Sequence, residues 1–222
     1  MTNTLKSERV QRVLDSLYAD AAQSPFPEHV IGPQAVYPRG SREMFHELRT
    51  VYMAIAPSFG QLLYNLVRAS KTQNIVEFGT SMGVSTIYLA SALKDNGGGK
   101  LITTEYEPEK IERARQNLRE AGLEELIDFR VGDAMESLKT DLPDPIDLVF
   151  LDGAKQMYLD VLKLLEPSLA NGAIIASDNT DHDGVESLLE YLRDPANGYV
   201  SSSILTARED RTSGHEISCF CR

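Results

Sequence analysis

The sequence of 222 residues has little cysteine, no tryptophan and no apolar run near the ~20 residues that a membrane-spanning helix needs. Positive charge is also scarce, because 22 lysines and arginines stand against 33 aspartates and glutamates, a formal net charge of -11. Nucleic acids and anionic membrane surfaces attract clusters of basic residues, so this balance argues against both as partners. The amphipathic N-terminus lacks the apolar core of a signal peptide, and we expect a cytoplasmic protein.

The two cysteines, Cys219 and Cys221, lie close together near the end of the chain. In a strand, residues so spaced point the same way, which does not suit a disulfide between them. They are therefore predicted to be reduced thiols. No further ligands with the usual spacing lie near them, which argues against a zinc site.

Hydrophobic patterning predicts a helical N-terminal part followed by an α/β core in a single domain covering residues 1–222. Helices are predicted at 4–20, after the capping residue Ser41 and at 58–70, with a proline-rich arm at 24–40. From residue 74 to 179, short apolar strands alternate with helices, as in the crossover units of a parallel sheet. One of these helices is predicted at 158–172. Two last strands, 199–209 and 215–222, have no helix between them.

The predicted fold class is therefore α/β. It is a Rossmann-like, doubly wound, seven-stranded and mostly parallel sheet with a C-terminal antiparallel hairpin and helices on both faces. Residues 1–40 form the N-terminal helix and arm, and 41–222 form a helical cover and the core. Ligands of such sheets bind outside the carboxyl ends of the strands, so the residues at those ends are candidates for one common site.

The first strand ends in the turn EFGTSMGVS. Gly79 allows a tight turn and a close approach of the backbone to a ligand, and Gly83 opens a helix whose free N–H groups favour an anion. Ser85 adds a hydroxyl donor. The turn is neither G-x-G-x-x-G nor a P-loop with its lysine, and a strand–helix turn without a ligand remains an alternative.

The second strand ends in an acid, Glu105, a short way beyond the glycine turn. An acid in this place can accept hydrogen bonds from both hydroxyls of a ribose. The alternative is a solvated or helix-capping acid, because Pro108 begins a helix just beyond it.

Asp152, Asp178 and Asn179 follow two later strands. Parallel pairing would bring them side by side, where two unpaired carboxylates repel each other. Oxygen ligands of this kind suit magnesium, calcium or manganese, and a divalent cation would remove the repulsion. The alternative is that Asp178 and Asn179 only cap the next helix.

From about Ile55 to Asn179 the chain resembles class I S-adenosylmethionine-dependent O-methyltransferases, in particular the cation-dependent catechol and caffeoyl-CoA group and its small bacterial relatives. The resemblance is carried by GQLLYNLV, VEFGTSMGVSTIYLA, LITTEYEPEK, IDFRVGDAMESL, FLDGAKQMY and ASDN, in the family's order.

The resemblance implies a role for each matching residue. Lys155 matches the lysine regarded as general base. Asp152, Asp178 and Asn179 match the metal ligands, and Asp152 would also touch the cofactor amine. The other residues implied to hold S-adenosylmethionine are Ile55, Glu77, Gly79, Thr80, Ser85, Glu105, Asp133, Ala134 and Met135.

The activity that the resemblance implies is methyl transfer to a hydroxyl of a small catechol-like or phenolic acceptor with help from a divalent cation. Magnesium is expected first, with manganese or calcium as alternatives, and a homodimer is expected by analogy. Two other hypotheses stay open: a methyltransferase of the same fold with a non-catechol acceptor and no catalytic metal, and a non-catalytic nucleotide-binding subunit.

The resemblance weakens beyond Asn179, where the polar segment 180–186 and the absence of tryptophan depart from the family's pattern. We expect this segment to line the acceptor pocket. Glu209 or Asp210 could grip a second hydroxyl of the acceptor. The arm at 24–40 is predicted to form a lid over the acceptor or to dock on a partner subunit.

Overall fold

The structure is a computed structural model that describes residues 3–207 and 212–222. Within these residues the α-helices are α1 (Glu8–Ala22), α2 (Glu28–Ile31), α3 (Arg42–Glu47), α4 (Pro57–Ser70), α5 (Val84–Asp95), α6 (Pro108–Ala121), α7 (Ala134–Ser137), α8 (Tyr158–Leu165) and α9 (Glu186–Arg193). The strands are β1 (Asn74–Phe78), β2 (Lys100–Glu105), β3 (Ile127–Val131), β4 (Ile146–Leu151), β5 (Leu169–Asp178), β6 (Tyr199–Ala207) and β7 (Thr212–Phe220).

The strands of the described part form one seven-stranded sheet in the order β3-β2-β1-β4-β5-β7-β6. The pairs from β3 to β5 are parallel, and β7 runs antiparallel to both β5 and β6. The predicted fold, including the C-terminal hairpin, is thereby confirmed. The strand order reverses between β1 and β4, so their carboxyl ends border the crevice in which doubly wound folds bind ligands.

Apolar side chains cover both faces of the sheet, because successive residues of a strand point to opposite sides. On one face, Ile75 and Phe150 pack with residues of α1, α4 and α5, and Phe59 and Leu63 of α4 are fully buried. On the other face, Val76 and Val149 pack with residues of α7, α8 and α9. The central strands β1 and β4 are thus buried on both sides, which explains their continuous apolar runs.

Helix boundaries follow local sequence signals in several places. The side chain of Ser7 accepts a hydrogen bond from Val10 N at the start of α1, and Ser41 accepts one from Met44 N at the start of α3. Pro57 and Pro108 stand in the first turns of α4 and α6. These positions agree with the capping and proline signals of the sequence.

Some predicted boundaries were wrong. The helix predicted at 158–172 ends at Leu165, a 3₁₀ turn follows, and β5 already begins at Leu169. Pro167 lies in that turn and cannot donate to a continuing helix. The helix after Ser41 ends at Glu47, so the segment up to Pro57 is a loop. The arm at 24–40 contains the short helix α2.

The two cysteines are free, as predicted, although their sulfur atoms are only 3.7 Å apart. Cys221 lies beyond the end of β7, so strand geometry does not fix how its side chain is directed relative to that of Cys219. In the described part of the chain, none of the helices combines the length and the apolar character needed to cross a membrane.

Candidate active site

The turn after β1 passes directly against the end of β4. Gly79 has φ +105°, and a Cβ atom there would lie 2.5 Å from the backbone oxygen of Asp152. Since this contact is backbone against backbone, only glycine allows the two strand ends to approach so closely. The turn therefore sets the position of Asp152 relative to the helix N-terminus at Val84.

Glu77 lies beneath this turn with no exposed surface. Its carboxylate accepts hydrogen bonds from Ser85 Oγ at 2.6 Å, Thr86 Oγ1 at 2.6 Å and Thr103 Oγ1 at 2.7 Å. Burial raises the pKa of Glu77 to about 7, while the three hydroxyl donors oppose that rise. The Ser85 hydroxyl is thus engaged by Glu77, which leaves its backbone N–H as the group available to a ligand.

Glu105 lies at the end of β2, as predicted, and is held by backbone groups. Its Oε2 accepts from Ser81 N at 2.9 Å and its Oε1 from Glu107 N at 3.1 Å. Each carboxylate oxygen retains a lone pair for a further donor, such as a ribose hydroxyl. Buried Lys110 donates to Ser81 Oγ at 3.3 Å, and burial lowers its pKa against the pull of nearby acids, Glu105 first.

Asp133 caps α7, where its Oδ1 accepts from Met135 N at 2.9 Å. Its Oδ2 accepts from Arg42 at 2.9 Å, so α3 is tied to the edge of the sheet beside buried Ala134. The arm is tied there too, because Gly40 O accepts from Gln156 Nε2 at 2.8 Å. The structure thus places the arm and α3 along the carboxyl ends of the strands.

A small pocket opens between the β1 turn and the loop before α4. Its lining consists of residues 52–55 and 79–82 with Val84, Ser85 and Asp152. The buried side chain of Ile55 and the turn residues Gly79 and Thr80 therefore line the same pocket. The Thr80 hydroxyl lies 2.5 Å from that of Thr103. Thr80 therefore offers its backbone to the pocket, since its hydroxyl is already bonded.

Asp152, Lys155 and Tyr158 form a connected chain at the end of β4. Lys155 Nζ donates to Asp152 Oδ1 at 3.2 Å and to the Tyr158 hydroxyl at 2.8 Å. The Tyr158 hydroxyl in turn donates to the backbone oxygen of Asp178 at 3.2 Å. Burial raises the pKa of Asp152 to about 7. The ammonium of Lys155 opposes that rise and the carboxylate of Asp178 adds to it.

Asp178 and Asn179 follow at the end of the neighbouring strand β5. Asp178 Oδ1 accepts from Asn179 N at 2.7 Å and lies 2.7 Å from His215 Nδ1. Asn179 adopts φ +54°, a left-handed conformation that asparagine tolerates well. Among the described residues, no hydrogen-bond partner is found for Asp178 Oδ2 or for the Asn179 amide.

The donor set at these strand ends fits a hard divalent cation. Two carboxylates and an amide provide oxygen ligands, and their free acceptor atoms lie beside a crevice. Within residues 3–207 and 212–222, however, no group of three or more His, Cys, Asp or Glu side chains could hold a metal ion. A cation here would therefore depend on the amide of Asn179 and on oxygens from substrate or water.

Three residues near this site were missed or undervalued in the sequence. Tyr158, the last residue of the motif FLDGAKQMY, was given no chemical role from the sequence, but its hydroxyl joins Lys155 to the backbone of Asp178. Lys110 follows helix periodicity and gave no signal of its burial, and His215 lies on a strand far along the chain. Glu209 and Asp210, considered for acceptor binding, lie outside the described residues.

The sequence of the chain is similar to those of known methyltransferases. A family model described as a methyltransferase domain matches residues 76–180. Catechol O-methyltransferase B of Danio rerio is 31% identical over 194 residues, which cover 85% of this chain and 69% of the relative. A catechol O-methyltransferase of Niastella koreensis is 34% identical over 139 residues, and the chain spans about 60% of that relative's length.

Solved structures share the fold. The O-methyltransferase TomG of Streptomyces achromogenes, which takes part in tomaymycin synthesis and was solved in complex with SAM, aligns with a TM-score of 0.70. The alignment covers 97% of this chain and 100% of that protein at 24% sequence identity. At 24% identity this similarity shows a shared fold.

Proposed function

The chain belongs to the family of catechol and caffeoyl-CoA O-methyltransferases, and from this membership we propose that it transfers a methyl group from S-adenosylmethionine to a hydroxyl of a small catechol-like or phenolic acceptor with help from a divalent cation. The observation that carries the proposal is the connection of Lys155 to Asp152 and, through Tyr158, to Asp178. This hydrogen-bond network supports the proposal because it holds the amine of Lys155 beside the carboxylate of Asp152 and beside the Tyr158 hydroxyl, which bonds the backbone of Asp178.

S-adenosylmethionine, when bound, supplies an electrophilic sulfonium methyl group. The pocket between residues 52–55 and 79–82 would receive its methionine end. The carboxylate of Glu105 would accept hydrogen bonds from both ribose hydroxyls, since two backbone N–H groups already set its position. Asp133 and Ala134 would flank the adenine, and Glu77 would support the turn from below.

Asp152, Asp178 and Asn179 would hold the cation. When bound, a divalent cation favours the anionic form of a nearby hydroxyl, which makes it a better nucleophile at neutral pH. Magnesium, manganese and calcium all accept such oxygen ligands, and magnesium is proposed first.

Lys155 is proposed as the general base. In its neutral form Nζ takes the proton of the acceptor hydroxyl, while the Tyr158 hydroxyl and Asp152 hold the amine in place. The pocket lining holds the donor in alignment with the acceptor. Such alignment of two reactants can be worth roughly 7–11 kcal/mol of the barrier.

The proposal is tested by supplying labelled S-adenosylmethionine with a panel of catechols and phenols, with and without a chelator. We expect labelled product that disappears with the chelator and returns when magnesium is added. Lys155→Met should lower turnover by about 10²–10⁴-fold. Lys163→Met, which changes an exposed lysine of α8, should leave turnover unchanged.

A methyltransferase without a catalytic metal is the second candidate, favoured by the small number of acidic ligands at the site. Turnover that persists in the chelator supports it and refutes the cation. Cofactor binding without methyl transfer to any acceptor of the panel supports a non-catalytic nucleotide-binding subunit. A homodimer and a cytoplasmic location remain predictions, which sedimentation and cell fractionation would check.

A further inference from the structure

His215 of β7 lies directly opposite Asp178 of β5. The antiparallel register pairs the two residues, so their side chains lie on the same face of the sheet. Ile174 and Ala176 share that face of β5 and pack in the core beside α4. The pairing therefore sets an imidazole against a candidate metal ligand in the protein interior, where His215 is 1% exposed.

The imidazole of His215 is held from three sides. Its ring stacks on Phe59 of α4 with centroids 3.7 Å apart and an interplanar angle of 15°. Nε2 lies 2.7 Å from Thr206 Oγ1 on β6, and Nδ1 lies 2.7 Å from Asp178 Oδ1. The second contact is at ion-pair distance, but Nδ1 makes no regular hydrogen bond within the described residues. The ring is thus fixed against rotation before any ligand arrives.

The contacts of Asp178 are divided between its two oxygens. Oδ1 faces both His215 Nδ1 and the backbone N–H of Asn179. Oδ2 has no hydrogen-bond partner within the part of the chain that the structure describes. A carboxylate that is anchored through one oxygen presents the other in a defined direction. In metal sites, residues outside the coordination sphere orient the ligands in this way, and His215 has the same relation to Asp178.

We propose that His215 is a positioning residue that orients Asp178 for a divalent cation, an inference that rests on the function proposed above. Its Nδ1 lies against Asp178 and its Nε2 contacts Thr206, so it acts through the carboxylate. Because an ionised carboxylate can only accept, the proposal places a proton on Nδ1, facing Asp178 Oδ1. Nε2 then accepts from the Thr206 hydroxyl, and the hairpin strand β6 sets the orientation of the ring.

Two substitutions separate this role from simple packing. The amide of Asn can replace Nδ1, and the amide of Gln can replace Nε2, while both remove the stacking on Phe59. His215→Gln should weaken the binding of Mn²⁺ by about 10–100-fold, whereas His215→Asn should retain most of the affinity. Binding is followed by the electron paramagnetic resonance of free Mn²⁺, with S-adenosylhomocysteine affinity measured by calorimetry in parallel.

The outcomes are distinct. Mn²⁺ affinity that is unchanged in His215→Gln overturns the inference, and so does an equal loss in both variants, which points to packing alone. Failure of the unaltered protein to bind Mn²⁺ refutes the proposed cation itself. If His215→Gln does not fold, Thr206→Val decides the matter. It frees Nε2 and should weaken Mn²⁺ binding several-fold, and unchanged affinity overturns the inference.

Discussion

Gly79→Ala tests the close approach of the β1 turn to β4. At φ +105° an alanine is strained, which costs about 1–3 kcal/mol. Its methyl group would also lie 2.5 Å from the backbone oxygen of Asp152, and relieving such overpacking costs a further ~1–3 kcal/mol. The free energy of unfolding should therefore fall by about 2–6 kcal/mol, and affinity for S-adenosylhomocysteine should fall with it because the turn is displaced.

The matched control is Gly98→Ala. Gly98 has φ +116°, and nothing lies within 4 Å of a Cβ atom built there. Both variants share the backbone strain and the entropy that alanine removes from the unfolded chain, so only the contact with Asp152 differs. Urea unfolding should be followed by circular dichroism, since the chain has no tryptophan for fluorescence. Equal losses of stability in the two variants would refute the reasoning.

The remaining predictions concern single groups of the site and one surface pair. Burial raises the pKa of Glu77 from 4.5 to about 7, so the folded protein binds the proton more tightly and stability declines as pH rises through that window. Between pH 5 and pH 8 the free energy of unfolding should therefore fall by about 3 kcal/mol, and Glu77→Gln should remove this fall. Urea unfolding at the two pH values measures it, and a variant with the pH profile of the unaltered protein would contradict this. Tyr158→Phe should cost about 1–3 kcal/mol of stability and lower turnover while S-adenosylhomocysteine affinity is kept, because Lys155 loses its 2.8 Å partner. Turnover equal to that of the unaltered protein would exclude this role. Arg39→Ala breaks an exposed ion pair with Asp183 and should leave the urea midpoint unchanged, whereas a clear shift would mean that the pair is stronger than its exposure implies.

Much of the fold could be read from the sequence because its signals are local. Continuous apolar strands between amphipathic helices predict a parallel core, and the turn with Gly79 and the acid at Glu105 mark strand ends. Errors arose where two local signals competed. Leu169 continues the apolar pattern of α8, yet it belongs to β5 because a 3₁₀ turn with Pro167 intervenes.

The candidate site also has features that the sequence predicts and features that it does not. The carboxylates Asp152 and Asp178 could be assigned to adjacent strand ends because parallel strands of one sheet align their carboxyl ends. The direction of each carboxylate could not be assigned, since it depends on partners elsewhere in the chain. Tyr158 contacts the backbone of Asp178 across two strand ends.

The sequence by itself determined the alternation of elements, the order of the chemical groups along the strand ends and the family to which they correspond. The tertiary structure alone decided the partners of those groups. His215 lies far along the chain from Asp178, and only the antiparallel register of β7 on β5 makes them neighbours. The physical reason is that periodicity and turn residues are encoded over a few positions, whereas register and side-chain direction depend on packing between distant segments.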